Sequence, residues 1–316
     1  MAVSVFEVIG YLAVGVYTLK LLNGVFNRFL KGGVKPTAYG KWAVITGATD
    51  GIGKAMSFEF AKKGMNILLI SRTQSKLDLV AKEIVEKFPG VETETLAVDY
   101  SNFDDDKIEK VRSALEKLGG DFGVLVNNVG MSYDFPLYFH ELTDQKTMDL
   151  LNLNVTSTTV MTRLALPIFL AKEGKKKGAI VNIGSYAGLY PSPLLAEYSA
   201  AKSYVEKLSN SLYYEYKDQG IDIQCHSPLY IVSKMSKFKK STLFIPSAEA
   251  YAKTVLSLLG GNAVVSGHWL QSIATFGVID YIPQSILMAK TKSMHLSIRK
   301  KGFRKLEREK DAKKTQ

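Results

Sequence analysis

Trp42-Ala43-Val44-Ile45-Thr46, followed at once by Gly47-Ala48-Thr49-Asp50-Gly51-Ile52-Gly53, is the stretch on which the reading of the fold turns. The first five residues carry no charge and read as a short buried strand. The glycines at 47, 51 and 53 then break it, and a helix is expected from about Lys54 to Lys63, with a second apolar strand from Asn66 to Ser71. Strand, turn, helix, strand in this space is a βαβ unit. Its glycines permit a tight turn and close approach of the backbone to a pyrophosphate at the positive end of the helix.

The second strand ends at Ser71-Arg72, where a site for NAD would place a carboxylate on the ribose 2′-hydroxyl. No acid is available there. Arg72 can instead meet a 2′-phosphate, so NADPH/NADP+ is the expected pair, with Lys76 as a helper.

Working outward, further strands are expected at Thr95 to Val98, Val124 to Val126, Ala179 to Ile183 and Ile221 to His226, with helical stretches between them. Alternating strands and helices predict an α/β fold: a doubly wound parallel sheet with helices on both faces and ligands outside the carboxyl ends of the strands. Polar residues gather at those ends, as in Asn127-Asn128-Val129-Gly130 and Gly184-Ser185. One catalytic domain is expected from about 40 to 265, preceded by a segment at 1 to 30 and followed by another at 266 to 316.

Inside that domain, Tyr198-Ser199-Ala200-Ala201-Lys202 reads as an active site. Glu197 to Tyr216 lacks Gly and Pro, so Tyr198 and Lys202 fall at i and i+4 on one helical face. An ammonium fixed beside a phenol is expected to pull its pKa toward the working range, and Ser185 can hydrogen-bond the same substrate oxygen.

Composition excludes other chemistries. The single cysteine, Cys225, rules out an intramolecular disulfide. The histidines, His140, His226, His268 and His295, show no ligand spacing, so no metal site is expected. Net charge is +11, and residues 290 to 316 hold eleven Lys/Arg against three Asp/Glu, a net of +8 in the tail alone. No nucleic-acid motif accompanies this charge, which points to a membrane surface.

Val3 to Leu22 is mostly apolar and suits a membrane-anchor helix, with Glu7 and Lys20 near its ends. Positive charge follows it at Lys20, Arg28, Lys31, Lys35 and Lys41, which places the catalytic domain on the cytosolic side. Trp269 to Met288 is apolar but contains Gln271, Asp280, Pro283 and Gln284. It reads either as an interfacial or re-entrant membrane segment or as core covering the substrate pocket. Lys234, Lys237, Lys239 and Lys240 form a cationic run suited to the phosphates of coenzyme A, or to solvent or lipid.

With Thr46-Gly47-x-x-x-Gly51-x-Gly53, Asn127-Asn128-x-Gly130, Asn154, Ser185 and Tyr198-x-x-x-Lys202 in this order, the chain resembles the short-chain dehydrogenases/reductases. The resemblance implies a Rossmann-type fold, nicotinamide chemistry and a catalytic tetrad of Asn154, Ser185, Tyr198 and Lys202. It points to cofactor contacts from Gly47, Asp50, Gly51, Ile52, Gly53, Arg72, Asp99, Asn127, Tyr198, Lys202, Val232 and Ser233, and to Ser185 at the substrate. The loop Pro228 to Met235 is similar to that of one membrane-bound branch, which reduces very-long-chain 3-oxoacyl-CoAs and includes 17β-hydroxysteroid dehydrogenases. Leu229 departs from the Gly common elsewhere in the family, and Ser233 stands where the branch often has Thr.

What the resemblance implies is an NADPH-dependent reductase of fatty-acid elongation in the endoplasmic reticulum membrane, its alternative a 17-ketosteroid reductase. Lys313-Lys314-Thr315-Gln316 resembles a dilysine signal of that membrane. Other elongation enzymes and a second copy of the chain are the expected protein partners. A non-catalytic scaffold is the reading from a different class, and the intact tetrad speaks against it.

Overall fold

The computed structural model describes residues 4–25, 32–277 and 279–314. Its centre is a parallel sheet of seven strands in the order β3-β2-β1-β4-β5-β6-β7: β1 (Trp42–Thr46), β2 (Asn66–Ser71), β3 (Thr93–Ala97), β4 (Phe122–Asn127), β5 (Gly178–Ile183), β6 (Ile221–His226) and β7 (Val264–Val265). The chain winds outward from β1 to β3, then returns to β4 on the other side of β1. That reversal leaves a crevice between the carboxyl ends of β1 and β4, where a doubly wound sheet receives its ligand.

Helices cover both faces. On one, α2 (Gly51–Lys62), α3 (Gln74–Lys87) and α9 (Ala248–Ser257) pack over Ala43, Ile45, Ile67, Leu69, Val124 and Val181. On the other, α4 (Asp105–Leu118) and α6 (Ser157–Leu170), with the end of α8 (Ala196–Tyr216), pack over Val44, Leu68, Leu125, Ile180 and Ile223. Every residue of β1, β4, β5 and β6 is buried, which explains why β1 reads as a continuous apolar run; β6, Ile221-Asp222-Ile223-Gln224-Cys225-His226, alternates in sequence although both its faces are covered. Each large apolar side chain so buried contributes about 1.5–3 kcal/mol.

Helix α2 starts three residues earlier than expected, at Gly51. Asp50 caps it, its Oδ1 accepting from Gly51 N at 2.9 Å, so Gly51-Ile52-Gly53 lies within the first turn. The expected strand at Thr95 to Val98 runs over Thr93–Ala97. The two-residue β7 was not expected, being too short for a periodic signal.

The amino-terminal segment forms α1 (Val5–Val25), and Val5, Phe6, Ile9, Tyr11, Leu12 and Leu19 on it are all exposed. Among the described residues no helix is long and apolar enough to cross a membrane. Val3, Arg28, Lys31, Thr315 and Gln316, and the side chains of Lys20, Lys313 and Lys314, lie outside the described residues.

The apolar stretch from Trp269 to Met288 resolves into α10 (Trp269–Gly277), a 3-10 turn (Ile279–Tyr281) and the start of α11 (Gln284–Lys314). Pro283 marks the break: its carbonyl accepts from the N–H groups of Ile286 and Leu287, so it opens α11. Gln271 and Thr275 are buried, as core is, whereas Trp269, Ile273, Tyr281 and Ile286 are exposed.

Candidate active site

The carboxyl end of β5 delivers Ser185 through Gly184, which has no room for a Cβ: one would lie 2.6 Å from Cys225 Sγ and 2.7 Å from Ser227 Oγ. Ser185 then caps the short helix α7 (Tyr186–Leu189), its Oγ accepting from Ala187 N at 3.2 Å. Helix α7 is bonded down onto α8 by Ser199 Oγ to Ala187 O (2.6 Å) and Ser203 Oγ to Gly188 O (2.8 Å). Gly188 allows this approach, since a Cβ there would meet the Lys202 backbone at 2.6 Å. The result is to bring the Ser185 hydroxyl close enough to act on the Tyr198 phenol.

Lys202, one helical turn on, is almost fully buried. Its Nζ donates to Ile183 O at 2.8 Å and lies 6.0 Å from the centre of the Tyr198 ring. Burial pushes the ammonium down to about 8. Burial also raises the Tyr198 phenol, and the Ser185 hydroxyl pulls only partly against it. The expected lowering by Lys202 is therefore not met by the protein on its own, because desolvation of the phenol outweighs the help it receives. A phenol that keeps its proton at neutral pH is suited to donate one.

Asn154 sits in a π-helical turn, Asn152–Thr156, joining α5 (Asp144–Leu151) to α6. Its Nδ2 donates to the carbonyls of Met131 and Leu150, both at 2.9 Å, and its Oδ1 accepts from Met131 N at 3.3 Å. Gly130 stands beside both Asn154 and Lys202: a Cβ on it would come within 2.7 Å of Asn154 Oδ1 and 3.3 Å of Lys202 Nζ. Ser185, Tyr198 and Lys202 are thus in one place, with Asn154 across Gly130 from Lys202. Tyr133 was not singled out from sequence, yet its hydroxyl accepts from Glu197 N at 3.1 Å and fixes the start of α8.

The glycine turn has the geometry of a phosphate cradle. Gly47 and Gly51 have φ of 65° and 52°, a conformation only glycine adopts easily. A Cβ on Gly53 would lie 2.2 Å from Gly47 O. The turn is tied to β4 by two motif residues whose part is structural: Thr46 Oγ1 accepts from the N–H groups of Asn128 (3.0 Å) and Val129 (3.1 Å), and Asn128 Nδ2 donates to Thr46 O at 3.0 Å. At the end of β4, Asn127 Nδ2 donates to Thr162 and Asn182, while Asn127 Oδ1 is buried without a hydrogen-bond partner. A cradle cleared of side chains and an unmet buried acceptor fit a dinucleotide.

Arg72 is exposed just beyond β2, and Lys76 lies close enough to act on Asp50. Asp50 also pairs with Lys234 at 2.6 Å; burial raises its carboxyl, and the bonds from Lys234 and Gly51 outweigh this and hold it below the usual range. Ile52 is half-buried against the core. Asp99 is used as a cap, its Oδ1 accepting from Ser101 N at 3.0 Å. Ser233 lies over the cradle, 3.8 Å from where a Gly51 Cβ would stand, and Val232 N donates to Pro246 O at 3.1 Å. Lys239 and Lys240 are exposed on the same loop. Among the described residues no cluster of His, Cys, Asp or Glu could hold a metal ion.

The opposite wall is held by α11, which the sequence had presented only as a basic tail. Arg299 donates through Nε and Nη2 to the Glu141 carboxylate and lies over the rings of Tyr138 and Phe303. Phe303 meets Phe135 edge to face, and His295 Nδ1 is 2.6 Å from Pro193 O.

The sequence pattern of the short chain dehydrogenases matches residues 41–243. The very-long-chain 3-oxoacyl-CoA reductase-B of Danio rerio is 41% identical over 289 residues, 90% of each chain. The very-long-chain 3-oxoacyl-CoA reductase of Rattus norvegicus is 40% identical over 305 residues, 94% of this chain and 95% of that one. Among solved structures, a 7beta-hydroxysteroid dehydrogenase superposes with a TM-score of 0.72 at 23% identity, over 82% of this chain and 99% of that one, and shows the fold alone. A short-chain dehydrogenase from Sphingobium yanoikuyae in complex with NADPH gives a TM-score of 0.63 at 25% identity, covering 77% and 96%.

Proposed function

The chain belongs to the short-chain dehydrogenase family, and from that premise we propose that it reduces long- and very-long-chain 3-oxoacyl-CoAs to 3-hydroxyacyl-CoAs with NADPH. The observation that carries the chemistry is the grouping of half-buried Ser185 and protonated Tyr198 with buried Lys202 beside the glycine cradle. Similarity to reductases of this substrate over nine tenths of the chain carries the substrate class.

When bound, NADPH supplies the hydride that adds to the C3 carbonyl carbon. Gly47, Gly51 and Gly53 would hold its pyrophosphate at the start of α2, and Arg72 its 2′-phosphate. Tyr198 gives its phenolic proton to the carbonyl oxygen as the C–O double bond becomes single. Ser185 donates to the same oxygen and steadies its developing charge. Lys202, its Nζ fixed by Ile183 O, keeps a positive charge next to the phenolate left behind. Asn154 holds the end of β4 against the π-helical turn, and so keeps Gly130 and Lys202 in register.

The protein's place at the endoplasmic reticulum membrane, catalytic domain toward the cytosol, is part of the same proposal, as is association with other elongation enzymes. The exposed apolar surface of α1 supports it. Carbonate extraction tests it, release into the soluble fraction counting against attachment.

The deciding experiment compares NADPH oxidation by detergent-solubilised protein with a long-chain 3-oxoacyl-CoA and with a 17-ketosteroid. A higher kcat/KM for the acyl-CoA is expected. Preference for the steroid would overturn the substrate assignment while leaving the chemistry intact.

A further inference from the structure

Gln271 lies on α10, beyond the part of the chain shared across the family, and its side chain has no exposed surface. All three of its hydrogen bonds go to one loop. Its Oε1 accepts from Leu229 N at 3.1 Å, and its Nε2 donates to Tyr230 O at 2.8 Å and to Phe244 O at 3.0 Å. Leu229 and Tyr230 begin the connection that leaves β6; Phe244 stands near its end, just before α9. A single amide therefore pins both stems of a long loop that contains neither strand nor helix.

What that loop carries gives the pin its meaning. Ser233 lies over Gly51, Lys234 pairs with Asp50 at the cap of α2, and Lys237 donates to Asp134 O on the far side of the cleft. The Lys234 pair is exposed and weakly holding, so the buried anchor is the one at Gln271. Its chemistry is specific. One acceptor must face an N–H and two donors must face two carbonyls, which a neutral amide of this length provides. Leucine would leave all three backbone groups unmet, and glutamate would turn a carboxylate toward two carbonyl oxygens.

We propose that Gln271 is a positioning residue of the reductase: it holds the 229–244 loop closed over the cofactor cradle without touching cofactor or substrate. The proposal rests on the NADPH-dependent reading of the site. Opening the loop lowers the fraction of enzyme competent to bind, and affinity falls by that fraction.

The test uses the full chain in detergent with Gln271→Leu and Gln271→Glu. For Gln271→Leu, the Kd and KM for NADPH should rise together by roughly tenfold, the effect of a closed population cut to a tenth, while kcat at saturating NADPH stays within about threefold. Trypsin should cleave after Lys234 to Lys240 faster than in wild type, and NADPH should suppress that cleavage. For Gln271→Glu, the KM should fall back toward wild type as pH drops and the buried carboxyl gains a proton to donate. This second variant carries the test if the leucine variant fails to fold. Unchanged NADPH affinity and cleavage in the variants would overturn the proposal, as would a glutamate variant with a flat pH profile. Wild-type protein that binds no NADPH would instead defeat the functional reading, and tryptic cleavage alone would then decide whether Gln271 pins the loop.

Discussion

Lys202→Met separates two effects of one buried ammonium. In the folded protein Lys202 is pushed from its ordinary 10.5 down to about 8 by burial, a difference worth roughly 3 kcal/mol at ~1.4 kcal/mol for each tenfold change. Methionine is of similar length and removes that cost, but it also leaves Ile183 O without its donor, a loss of about 1.5–3 kcal/mol for a charged hydrogen bond. At pH 7 the two nearly cancel, so stability should change by less than about 2 kcal/mol. Activity should not be spared: without the charge beside Tyr198, kcat/KM is expected to fall by roughly 10²–10⁴.

The pH dependence tells the terms apart. Between about 8 and 10.5 the unfolded chain holds a proton on Lys202 that the folded chain has shed, so raising pH favours the folded state. Cys225, pushed up from 9.0 to about 11 by burial, works in the opposite direction above pH 9, and the buried tyrosines Tyr39 and Tyr100, raised from 10.0, do so above about pH 10. The window to measure is therefore pH 7.5 to 9, by urea unfolding of both proteins. Wild type should gain on the variant with a slope approaching ~1.4 kcal/mol per pH unit at the upper end. Wild-type kcat/KM for reduction should decline above about pH 8 over the same range. Parallel stability curves for the two proteins would refute the argument, since no buried charge would then be titrating at Lys202.

Arg299→Ala removes a two-pronged pair, each partner about a quarter exposed, and should cost about 1.5–3 kcal/mol while raising KM for acyl-CoA more than for NADPH. Burial raises Glu141, yet Arg299 and the Tyr138 N–H outweigh it and hold the carboxylate low; this stabilisation is present above the ordinary carboxyl range and should be lost on acidification, with a smaller loss in Arg299→Ala, which keeps only the Tyr138 bond, than in wild type, as read by thermal unfolding. Arg72→Glu should raise KM for NADPH at least about tenfold and leave KM for NADH nearly unchanged; an equal effect on both would remove Arg72 from the 2′-phosphate.

The parts of the molecule legible in sequence are those whose signals are local. The βαβ unit announces itself because an uncharged run, three glycines and a second apolar run lie within thirty positions. Tyr198 and Lys202 are one helical turn apart, so their proximity needs only the helix. The π-helical turn holding Asn154 left a fainter mark, the hydroxyl run Thr156 to Thr159. There Ser157, Thr158 and Thr159, just after the widened turn, each donate back to the carbonyl four residues earlier, inside it. The direction of the Tyr198 shift was not legible, because it depends on burial depth, which belongs to the folded chain.

Residues that close the cleft fail to show for a different reason. Arg299 and Glu141 are 158 positions apart, and Gln271 lies 41 and 42 positions from the loop stem it holds. By hydropathy Gln271 is a flaw in an apolar segment, and Arg299 is one cation among eleven in a tail. In the fold the first saturates three backbone groups, and the second lies over two rings and pairs with a carboxylate. A buried polar side chain persists only where its partners are met. A lone amide within an apolar helix therefore asks which irregular backbone it satisfies, and here that backbone is the loop over the cradle.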